Sequence, residues 1–437
     1  MIKVTVRESS VVKPAKETPK VCLWTSNFDQ LFVVHAQTVY FYRRPTLTGG
    51  SSSSSDDFFD STVLKDGLSK ALVYYYPIAG RLKRNESGRA EINCTGEGAT
   101  FIEAETDSCI EDLGDFTPDE RLMPLLPKPD YGDGDISSCP PFLVKITRFK
   151  CGGVCVSTAL SHILVDGVSG INFINTWSDL CRGVDDIKAV PLLDRTILRA
   201  RDPPVVSFPH VEYKLPSMNI PSTSPLSNPK IAISKLNIST MQTNQLKSKC
   251  NNNEFKFSTY EVIAGHIWRC SCKARELKDD QETTISMPLD CRSRSSPPLP
   301  DGYFGNAIFD LTAKAIAGDI VSKPLSYAVN LIHETLISYG SNEYFRSAID
   351  FLELNPSICT VIKGKGCNFR FTSWVRLAIY EADFGWGQPH YMGPGANGAG
   401  RSFLIPNPPR GDGGLSLIIT LDTEYHMDLF TESFYDI

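Results

Sequence analysis

The sequence predicts a mixed α/β (α+β) protein built from two domains of similar size. The chain has 437 residues, which is enough for two hydrophobic cores. Strand and helix patterns occur in both halves, and a stretch dense in proline and serine separates them. We therefore predict a first domain over residues 1–194, a crossover loop over 195–230 and a second domain over 231–437.

Alternating and helical patterns identify the elements of the first half. Residues 2–7 alternate apolar with polar side chains, which predicts a strand, and the apolar runs 142–149 and 154–160 predict two more. A helix is predicted within 66–82 and should stop near Pro77. Apolar residues at helical spacing predict another helix over 171–183, where Gly183 ends it.

The second half has a similar mixture of elements. Strands are predicted over 283–289 and 415–421. Ser258 and Glu261 have the spacing of a capping box, so a helix should begin there. The serine-rich segment 51–60, in the first half, is of low complexity and is predicted to be a loop.

Composition and charge narrow the class of protein. The chain is 41% hydrophobic and 22% charged, as expected of a globular protein, and its net charge of −6 gives no support for nucleic-acid binding. It begins without the basic and apolar layout of a signal peptide, and no apolar run reaches the roughly 20 residues of a membrane span. We expect a cytoplasmic protein without a membrane span.

The thirteen cysteines are expected to be reduced thiols, because their number is odd and no secretory signal is present. The close pairs Cys151 with Cys155 and Cys270 with Cys272 lack partners at zinc-binding spacing. We therefore expect no metal site.

His162 is the candidate catalytic base. It directly follows a predicted strand. Asp166, four residues later, forms with Gly167 a turn signal that precedes the next predicted helix. Catalytic groups often occupy such loops at strand ends. A core histidine that bonds a backbone carbonyl would fit the same spacing, and spacing alone does not decide between the two.

Other catalytic motifs fit poorly. The glycines around Ser169 do not form a nucleophile elbow, and phosphate-binding glycine motifs are absent from the sequence. Asp383-Phe384-Gly385 occurs without the remaining kinase signatures. Its simpler interpretation is structural: Gly385 and Gly387 permit a tight turn, and Trp386 holds the turn in place by burial.

Taken together, the segments 162–167 (HILVDG) and 383–387 (DFGWG), about 220 residues apart, resemble the two signatures of the plant BAHD acyl-CoA-dependent acyltransferases. LLDRTILRARDPP, GHIWRCSCKAR, DGYFGNAIF and FTSWVRLAIYEADFGWG look like the hydroxycinnamoyl-CoA shikimate/quinate hydroxycinnamoyltransferase branch. The resemblance implies two chloramphenicol-acetyltransferase-like domains with an active-site channel at their interface. It also implies a monomer that uses acyl-CoA as a co-substrate, without a permanently bound cofactor.

The resemblance assigns roles to the signature residues. His162 would be the general base that deprotonates the acceptor, a contribution of about 10²–10⁴-fold in rate. Asp166 would turn away from the substrate and pair with Arg292, which would fix the His162 loop. Asp383 would be structural.

Coenzyme A binding is implied for Phe257, Ser258 and Thr259 and for the stretch from Asp290 through Arg292 to Arg294. Ser258 supports this independently, because helix N-termini bind anions such as phosphate. A plain capping box is the alternative.

Acceptor binding is implied for Thr38, Tyr40, Trp374 and Arg376. Alternation over 374–380 would place Val375, Leu377 and Ile379 towards a core, and Trp374, Arg376 and Tyr380 towards a surface or channel. In the resembling branch the matching arginine holds the carboxylate of shikimate, and the indole of Trp374 could stabilise an oxyanion.

The predicted function is transfer of a hydroxycinnamoyl group from CoA to a hydroxyl of shikimate, quinate or a similar hydroxy acid. Two departures from the branch, Ile163 in place of a second histidine and Ala36 in place of a threonine, favour an alternative, N-acylation of a polyamine or arylamine. A binding protein that has kept the fold is a third hypothesis, against which His162 and Asp166 argue. A thioester hydrolase would release thiol without any acceptor.

Overall fold

The computed structural model describes residues 2–45, 57–132, 136–185, 187–213, 231–251, 256–358, 369–398, 400–409 and 413–437. Residues 51–56 of the predicted low-complexity loop and 214–230 of the predicted crossover lie outside the described residues.

The chain forms two compact units, and each is discontinuous in sequence. The first unit comprises Met1–Arg199, Leu299–Ala307 and Leu377–Ala396. The second comprises Ala200–Pro298, Ile308–Arg376 and Asn397–Ile437. These units differ from the predicted linear division because two short segments of the second half, one of which carries the DFGWG motif, pack with the first.

The first unit is organised around a six-stranded sheet in the order β1-β6-β7-β8-β3-β13. Only β6 and β7 are parallel among these neighbours. The strands are β1 (Thr5–Val12), β3 (His35–Tyr42), β6 (Ala99–Thr106), β7 (Phe142–Phe149), β8 (Val154–Ser161) and β13 (Tyr391–Pro394). A small sheet contains β2 (Cys22–Leu23), β4 (Arg81–Arg84) and β5 (Ala90–Asn93).

The described residues of the first unit also form the α-helices α1 (Ser61–Tyr74) and α2 (Gly167–Cys181). Asp60 caps α1, since its carboxylate accepts the N–H groups of the first turn. The Trp177 indole N–H, on α2, donates to the carbonyl of Leu64 on α1 at 2.9 Å. The Trp177 ring is fully buried against the edge of Phe142 on β7, so α2 is packed between helix and sheet.

The second unit contains a six-stranded sheet in the order β11-β10-β12-β14-β15-β9. Its strands are β9 (Ala232–Ile238), β10 (Glu282–Asp290), β11 (Ile308–Ile316), β12 (Arg370–Ser373), β14 (Arg401–Pro406) and β15 (Leu415–Leu421). Its described helices are α3 (Thr240–Cys250), α4 (Thr259–Ala274), α5 (Ala317–Ser322), α6 (Leu325–Tyr339), α7 (Asn342–Leu354) and α8 (Glu424–Tyr435).

Helix α4 is the most deeply buried helix of this unit. Gly265 lets α6 approach closely, because a Cβ at this position would lie 2.6 Å from the Cγ2 of Val329. His266, on the same helix, is also buried and contacts the carbonyl of Phe434 on α8 at 2.9 Å. Helix α4 is therefore packed between α6 and α8.

Most elements predicted from local patterns are confirmed. Strands β7, β8, β10 and β15 match their predicted ranges to within one residue at either end. Helix α2 begins four residues before its predicted start, and Gly183 follows it with a positive φ of 75°. Within the described part of the chain, no helix has the length and apolar character needed to cross a membrane.

Candidate active site

His162 lies immediately after β8, in the turn that leads into α2. Its backbone N–H donates to the carbonyl of Val34 at 2.8 Å, and the N–H of Leu164 donates to the carbonyl of Ser161 at 3.0 Å. The imidazole is half-buried and stacks on Phe32, with ring centroids 4.5 Å apart and an interplanar angle of 29°. The predicted position of the base, at a strand end beside rigid elements, is therefore what the structure shows.

Asn306 holds the imidazole from one side. Its Oδ1 lies 3.1 Å from Nδ1 of His162. Its Nδ2 donates to the Asp29 carboxylate at 2.8 Å and to the His162 carbonyl at 2.7 Å. Both of these partners can only accept, so the orientation of the amide is fixed, with Oδ1 towards the imidazole.

This orientation determines the tautomer of His162. Because Oδ1 of Asn306 is an acceptor, Nδ1 of the imidazole must carry the proton and donate it. The lone pair of the neutral ring is then on Nε2. A histidine held in this way can accept a proton at Nε2, as a general base does.

A buried ion pair supports Asn306. Arg195 and Asp29 are within 3.2 Å of each other, and their side chains are 1% and 0% exposed. Oδ1 of Asp29 accepts both the backbone and side-chain N–H groups of Asn306. The Arg195 guanidinium also donates to the carbonyls of Ile163 and Leu164, at 3.2 and 2.7 Å. Arg195 and Asp29 thus hold both Asn306 and the turn that follows His162.

Asp166 has a structural role in the first unit. It is the N-cap of α2, where one carboxylate oxygen accepts the N–H of Ser169 at 3.0 Å. The other oxygen accepts the N–H of Ala307 at 2.9 Å. Asp166 therefore ties the segment that carries Asn306 to the His162 turn. Its ion pair with Arg292, a residue of the second unit, stays a prediction.

The DFGWG segment forms the turn that was predicted. Oδ1 of Asp383 accepts the N–H groups of Gly385 and Gly387, at 2.8 and 2.9 Å. The φ angles of the two glycines are 107° and 100°, which only glycine adopts readily. Trp386 stacks on Phe59 with centroids 4.9 Å apart, so the ring holds the turn by packing.

The predicted coenzyme A residues lie in the second unit. Phe257 is buried, Thr259 is the first residue of α4, and Ser258 is its N-cap. Asp290 accepts two N–H groups of Arg292, at 2.9 and 3.2 Å, and Arg294 donates to the Gly340 carbonyl at 3.2 Å. Phe257 is thus the buried member of the set, and Arg292 and Arg294 are tied to neighbouring polar groups of the same unit.

The capping box at α4 is confirmed. Ser258 and Glu261 exchange hydrogen bonds between their side chains and backbone N–H groups. Burial alone would raise the pKa of Glu261, but hydrogen bonds from Ser258 and His333 outweigh it and hold the pKa below its usual value. A carboxylate therefore already occupies part of this helix N-terminus.

The two residues of β3 predicted to contact the acceptor, Thr38 and Tyr40, lie within the sheet, where they pair with Thr158 and Val156 of β8. The hydroxyl of Thr38 lies 2.7 Å from that of Thr158 on β8. Tyr40 is 1% exposed, and burial raises the pKa of its phenol well above the usual value. Tyr40 is therefore neutral at physiological pH.

The strand predicted over 374–380 is wrong. Strand β12 ends at Ser373, and Arg376 lies in an exposed turn. Val375, which the alternation placed towards the core, is 37% exposed, and Tyr380, which it placed towards the surface, is only 7% exposed.

The strand ends because its partner β14 offers no further hydrogen-bond donor. The register pairs Ser373 with Leu404, and the Trp374 N–H donates to the Leu404 carbonyl. The next donor in this parallel ladder would be Pro406, which has no N–H, so the pairing stops.

Comparison with known proteins identifies the family. A model of the Transferase family matches residues 2–437.

The chain belongs to the Transferase family.

Individual relatives of this transferase agree with the family match. Shikimate O-hydroxycinnamoyltransferase of Nicotiana tabacum is 47% identical over 447 residues, with 100% of both chains covered. An Avena sativa protein named hydroxycinnamoyl-CoA:5-hydroxyanthranilate N-hydroxycinnamoyltransferase is 42% identical over 450 residues, again with 100% of both covered. The crystal structure of vinorine synthase matches with a TM-score of 0.75 at 24% identity, covering 98% of this chain and 96% of the other. The resemblance to the BAHD acyl-CoA-dependent acyltransferases and the predicted fold class are confirmed.

Three residues of the transferase's His162 network were not predicted from the sequence. Asn306, Asp29 and Arg195 are 144, 133 and 33 positions from His162 in the chain. Asn306 and Arg195 do occur in segments that resemble the family, DGYFGNAIF and LLDRTILRARDPP. The sequence contains no spacing signal that would link either of them to the histidine.

Proposed function

We propose that this protein transfers a hydroxycinnamoyl group from coenzyme A to a hydroxyl of shikimate, quinate or a similar hydroxy acid. The observation that carries the proposal is the fixed tautomer of His162, whose Nδ1 proton is held by Asn306. A base with its lone pair on Nε2 is what proton abstraction from a hydroxyl requires.

The reaction proceeds without an acyl-enzyme. Nε2 of His162 takes the proton of the acceptor hydroxyl as the oxygen attacks the thioester carbonyl. The tetrahedral intermediate collapses, the C–S bond breaks, and the imidazolium returns the proton to the departing thiolate. Asn306 keeps the ring oriented through both proton transfers, because its Oδ1 accepts the Nδ1 proton in either charge state.

The hydroxycinnamoyl donor and the hydroxy-acid acceptor are inferred from relatives. The tobacco relative named shikimate O-hydroxycinnamoyltransferase shares 47% identity over the whole chain. We propose that Phe257, Ser258, Thr259, Asp290, Arg292 and Arg294 contact coenzyme A, which is a co-substrate and not a bound cofactor. We propose Arg376, with Trp374, Thr38 and Tyr40, for the acceptor.

The proposed function is tested with an acceptor panel. The purified protein is incubated with p-coumaroyl-CoA and shikimate, quinate, 5-hydroxyanthranilate, spermidine or agmatine, and products are identified by mass spectrometry. An ester with shikimate or quinate is expected. Amide products alone would replace the proposal with N-acylation.

The His162→Ala variant separates thiol release that depends on His162 from thiol release by other routes. His162→Ala should abolish acceptor-dependent thiol release while the protein remains folded. Thiol release without an acceptor would indicate a hydrolase, and no release with any acceptor would indicate a binding protein.

The second candidate function is N-acylation of an arylamine, for which the oat relative provides support at 42% identity. The substrate in that relative's name, 5-hydroxyanthranilate, carries a carboxylate, as shikimate does. Arg376 could therefore serve either acceptor, and the nucleophile, hydroxyl or amine, is what distinguishes the two in the panel.

We also propose that the protein is monomeric and cytoplasmic. Size-exclusion chromatography with light scattering should give the mass of one chain, 48.4 kDa.

A further inference from the structure

A pair of cysteines lies in the first unit, apart from the His162 network. Cys109 precedes the short 3₁₀ turn Ile110–Leu113 after β6, and Cys151 lies in the turn between β7 and β8. The Sγ atoms of Cys109 and Cys151 and a carboxylate oxygen of Glu111 are all within 4.8 Å of one another. Cys155, four residues after Cys151, is buried within β8 and takes no part in this cluster.

The backbone holds the two cysteines in place. The N–H of Lys150 donates to the carbonyl of Ser108 at 3.1 Å, next to each cysteine in sequence. The side chain of Ile110 is 1% exposed and packs on Gly153. A Cβ at Gly153 would lie 2.3 Å from the Cδ1 of Ile110, so only glycine allows this contact. The two segments are therefore locked together before any ligand binds, which lowers the entropy cost of binding.

One of the two sulfurs accepts a backbone hydrogen bond. The N–H of Ile110 points to Sγ of Cys151 at 3.5 Å, while the N–H of Asp112 donates to the carbonyl of Cys109 at 3.2 Å. A donor of this kind favours the thiolate, which is the form that binds metals. Cys22 provides a contrast, since its Sγ instead donates to the Glu91 carboxylate at 3.1 Å.

Charges of both signs lie near the pair, since Glu111 follows Cys109 closely and Lys150 precedes Cys151 in the chain. Glu111 is 3.5 Å from Arg43, and both side chains are more than half exposed, so this weak contact can be exchanged for another. A bound dication favours the thiolate form of its sulfur ligands.

We propose that Cys109, Cys151 and Glu111 bind one thiophilic divalent cation of the Zn²⁺ or Cd²⁺ class, with water at the remaining position. A tetrahedral ion with metal–sulfur bonds of about 2.3 Å places its sulfur ligands about 3.8 Å apart. Because the ligand atoms lie within 4.8 Å of one another, side-chain shifts of at most about 1 Å bring them to this separation. Binding one cation displaces two thiol protons, and neither sulfur changes oxidation state.

Cadmium is the probe for this site, because thiolate-to-cadmium charge transfer gives an ultraviolet absorption band. The full-length, reduced, chelator-treated protein is titrated with CdCl₂. One Cd²⁺ per chain should bind with release of two protons. The band should disappear in Cys109→Ser and in Cys151→Ser, and Glu111→Gln should weaken binding about tenfold or more. Cys22→Ser, which removes an exposed thiol beside Glu91, should leave the band unchanged.

Thermal unfolding gives a second readout. Cd²⁺ should raise the Tm of the unsubstituted protein and of Cys22→Ser but not of the two serine variants, whose Tm without metal shows that they fold. A band that survives in Cys109→Ser would overturn the proposal. So would a reduced protein that binds no Cd²⁺ while its oxidised form contains a Cys109–Cys151 disulfide.

Discussion

At the scale of single residues, the orientation of His162 depends on hydrogen bonds that run through Asn306 to Asp29 and Arg195. Each group in the series restricts the next: Arg195 and Ser26 hold one oxygen of Asp29, and the other oxygen holds Asn306. Asn306 is neutral, so it orients the imidazole without placing a carboxylate directly on Nδ1. The asparagine of papain-like proteases orients a catalytic histidine in a comparable way.

The role of Asn306 is testable by substitution. In Asn306→Ala, Nδ1 of His162 loses its acceptor and the ring can take either tautomer, so kcat should fall about 10²-fold or more while the KM for the acyl-CoA changes little. Steady-state kinetics measure the effect. Asn172→Ala, at an exposed position of α2, is the control and should keep full activity. A loss of less than threefold in Asn306→Ala would contradict the proposed role.

Substitution of Arg376 tests the acceptor assignment. A charge-assisted arginine–carboxylate contact contributes about 1.5–3 kcal/mol, so Arg376→Ala should raise the shikimate KM about 10- to 150-fold. The KM for the acyl-CoA is the internal control. Arg376→Lys should recover only part of the loss, since lysine lacks the bidentate geometry. An unchanged shikimate KM would exclude Arg376 from the acceptor site.

Residues that act locally could be predicted from the sequence, and residues that act across the chain could not. His162 and Asp166 lie four positions apart, and the turn between them has a recognisable composition. The bond from Asn306 to Asp29 joins positions 277 apart, and such pairing is decided by tertiary packing. Family resemblance pointed to the right segments without indicating which side chain faces the histidine.

At the scale of elements, the start of α4 is determined by residues close in sequence, whereas the packing of its middle is determined by contacts with other helices. The capping box at Ser258 depends on neighbours three residues apart, and it was predicted correctly. The strand predicted through Arg376 failed because its end is determined by Pro406 on the adjacent β14, which local alternation does not reveal.

The buried His266 makes the stability of the second unit depend on pH. Burial lowers its pKa from 6.5 to about 4, although its hydrogen bond to the Phe434 carbonyl opposes the shift. Below pH 6.5 the unfolded chain binds a proton that the folded chain does not, so the free energy of unfolding falls as the pH drops towards 4. The full loss is about 3 kcal/mol.

Urea unfolding at several pH values measures this contribution. Between pH 7 and pH 4, His266→Gln should lose about 3 kcal/mol less than the unsubstituted protein, because glutamine can bond the same carbonyl without titrating. His426→Gln, on α8, removes a partly exposed histidine and serves as the control. Parallel pH profiles for His266→Gln and the unsubstituted protein would refute the assignment.

At the scale of the whole molecule, the first unit depends on two segments from the second half of the chain. Leu299–Ala307 supplies Asn306, and Leu377–Ala396 supplies β13, which pairs with β3. The second segment also covers aromatic side chains: Phe384 packs on Trp177 with centroids 4.7 Å apart, and the Tyr42 hydroxyl donates to the Ala382 carbonyl.

A fragment of residues 1–199 should therefore not fold as the first unit does. Loss of β13 leaves β3 with an open edge, and loss of Phe384 exposes Trp177. We expect a broad urea transition and little hydrogen-exchange protection in β3 and β8, compared with the full chain. A cooperative transition with native-like protection would show that the two segments are dispensable.

The same discontinuity affects how the protein is made. When Arg199 leaves the ribosome, the residues up to Ala396 that complete the first unit have not yet been translated. At about 5–20 residues per second, their synthesis takes roughly 10–40 s. Throughout this interval the edge of β3 and the ring of Trp177 are available to wrong partners, including other nascent chains. We expect the yield of folded protein to depend on translation speed between Ala200 and Ala396 and on chaperones that shield the nascent first unit.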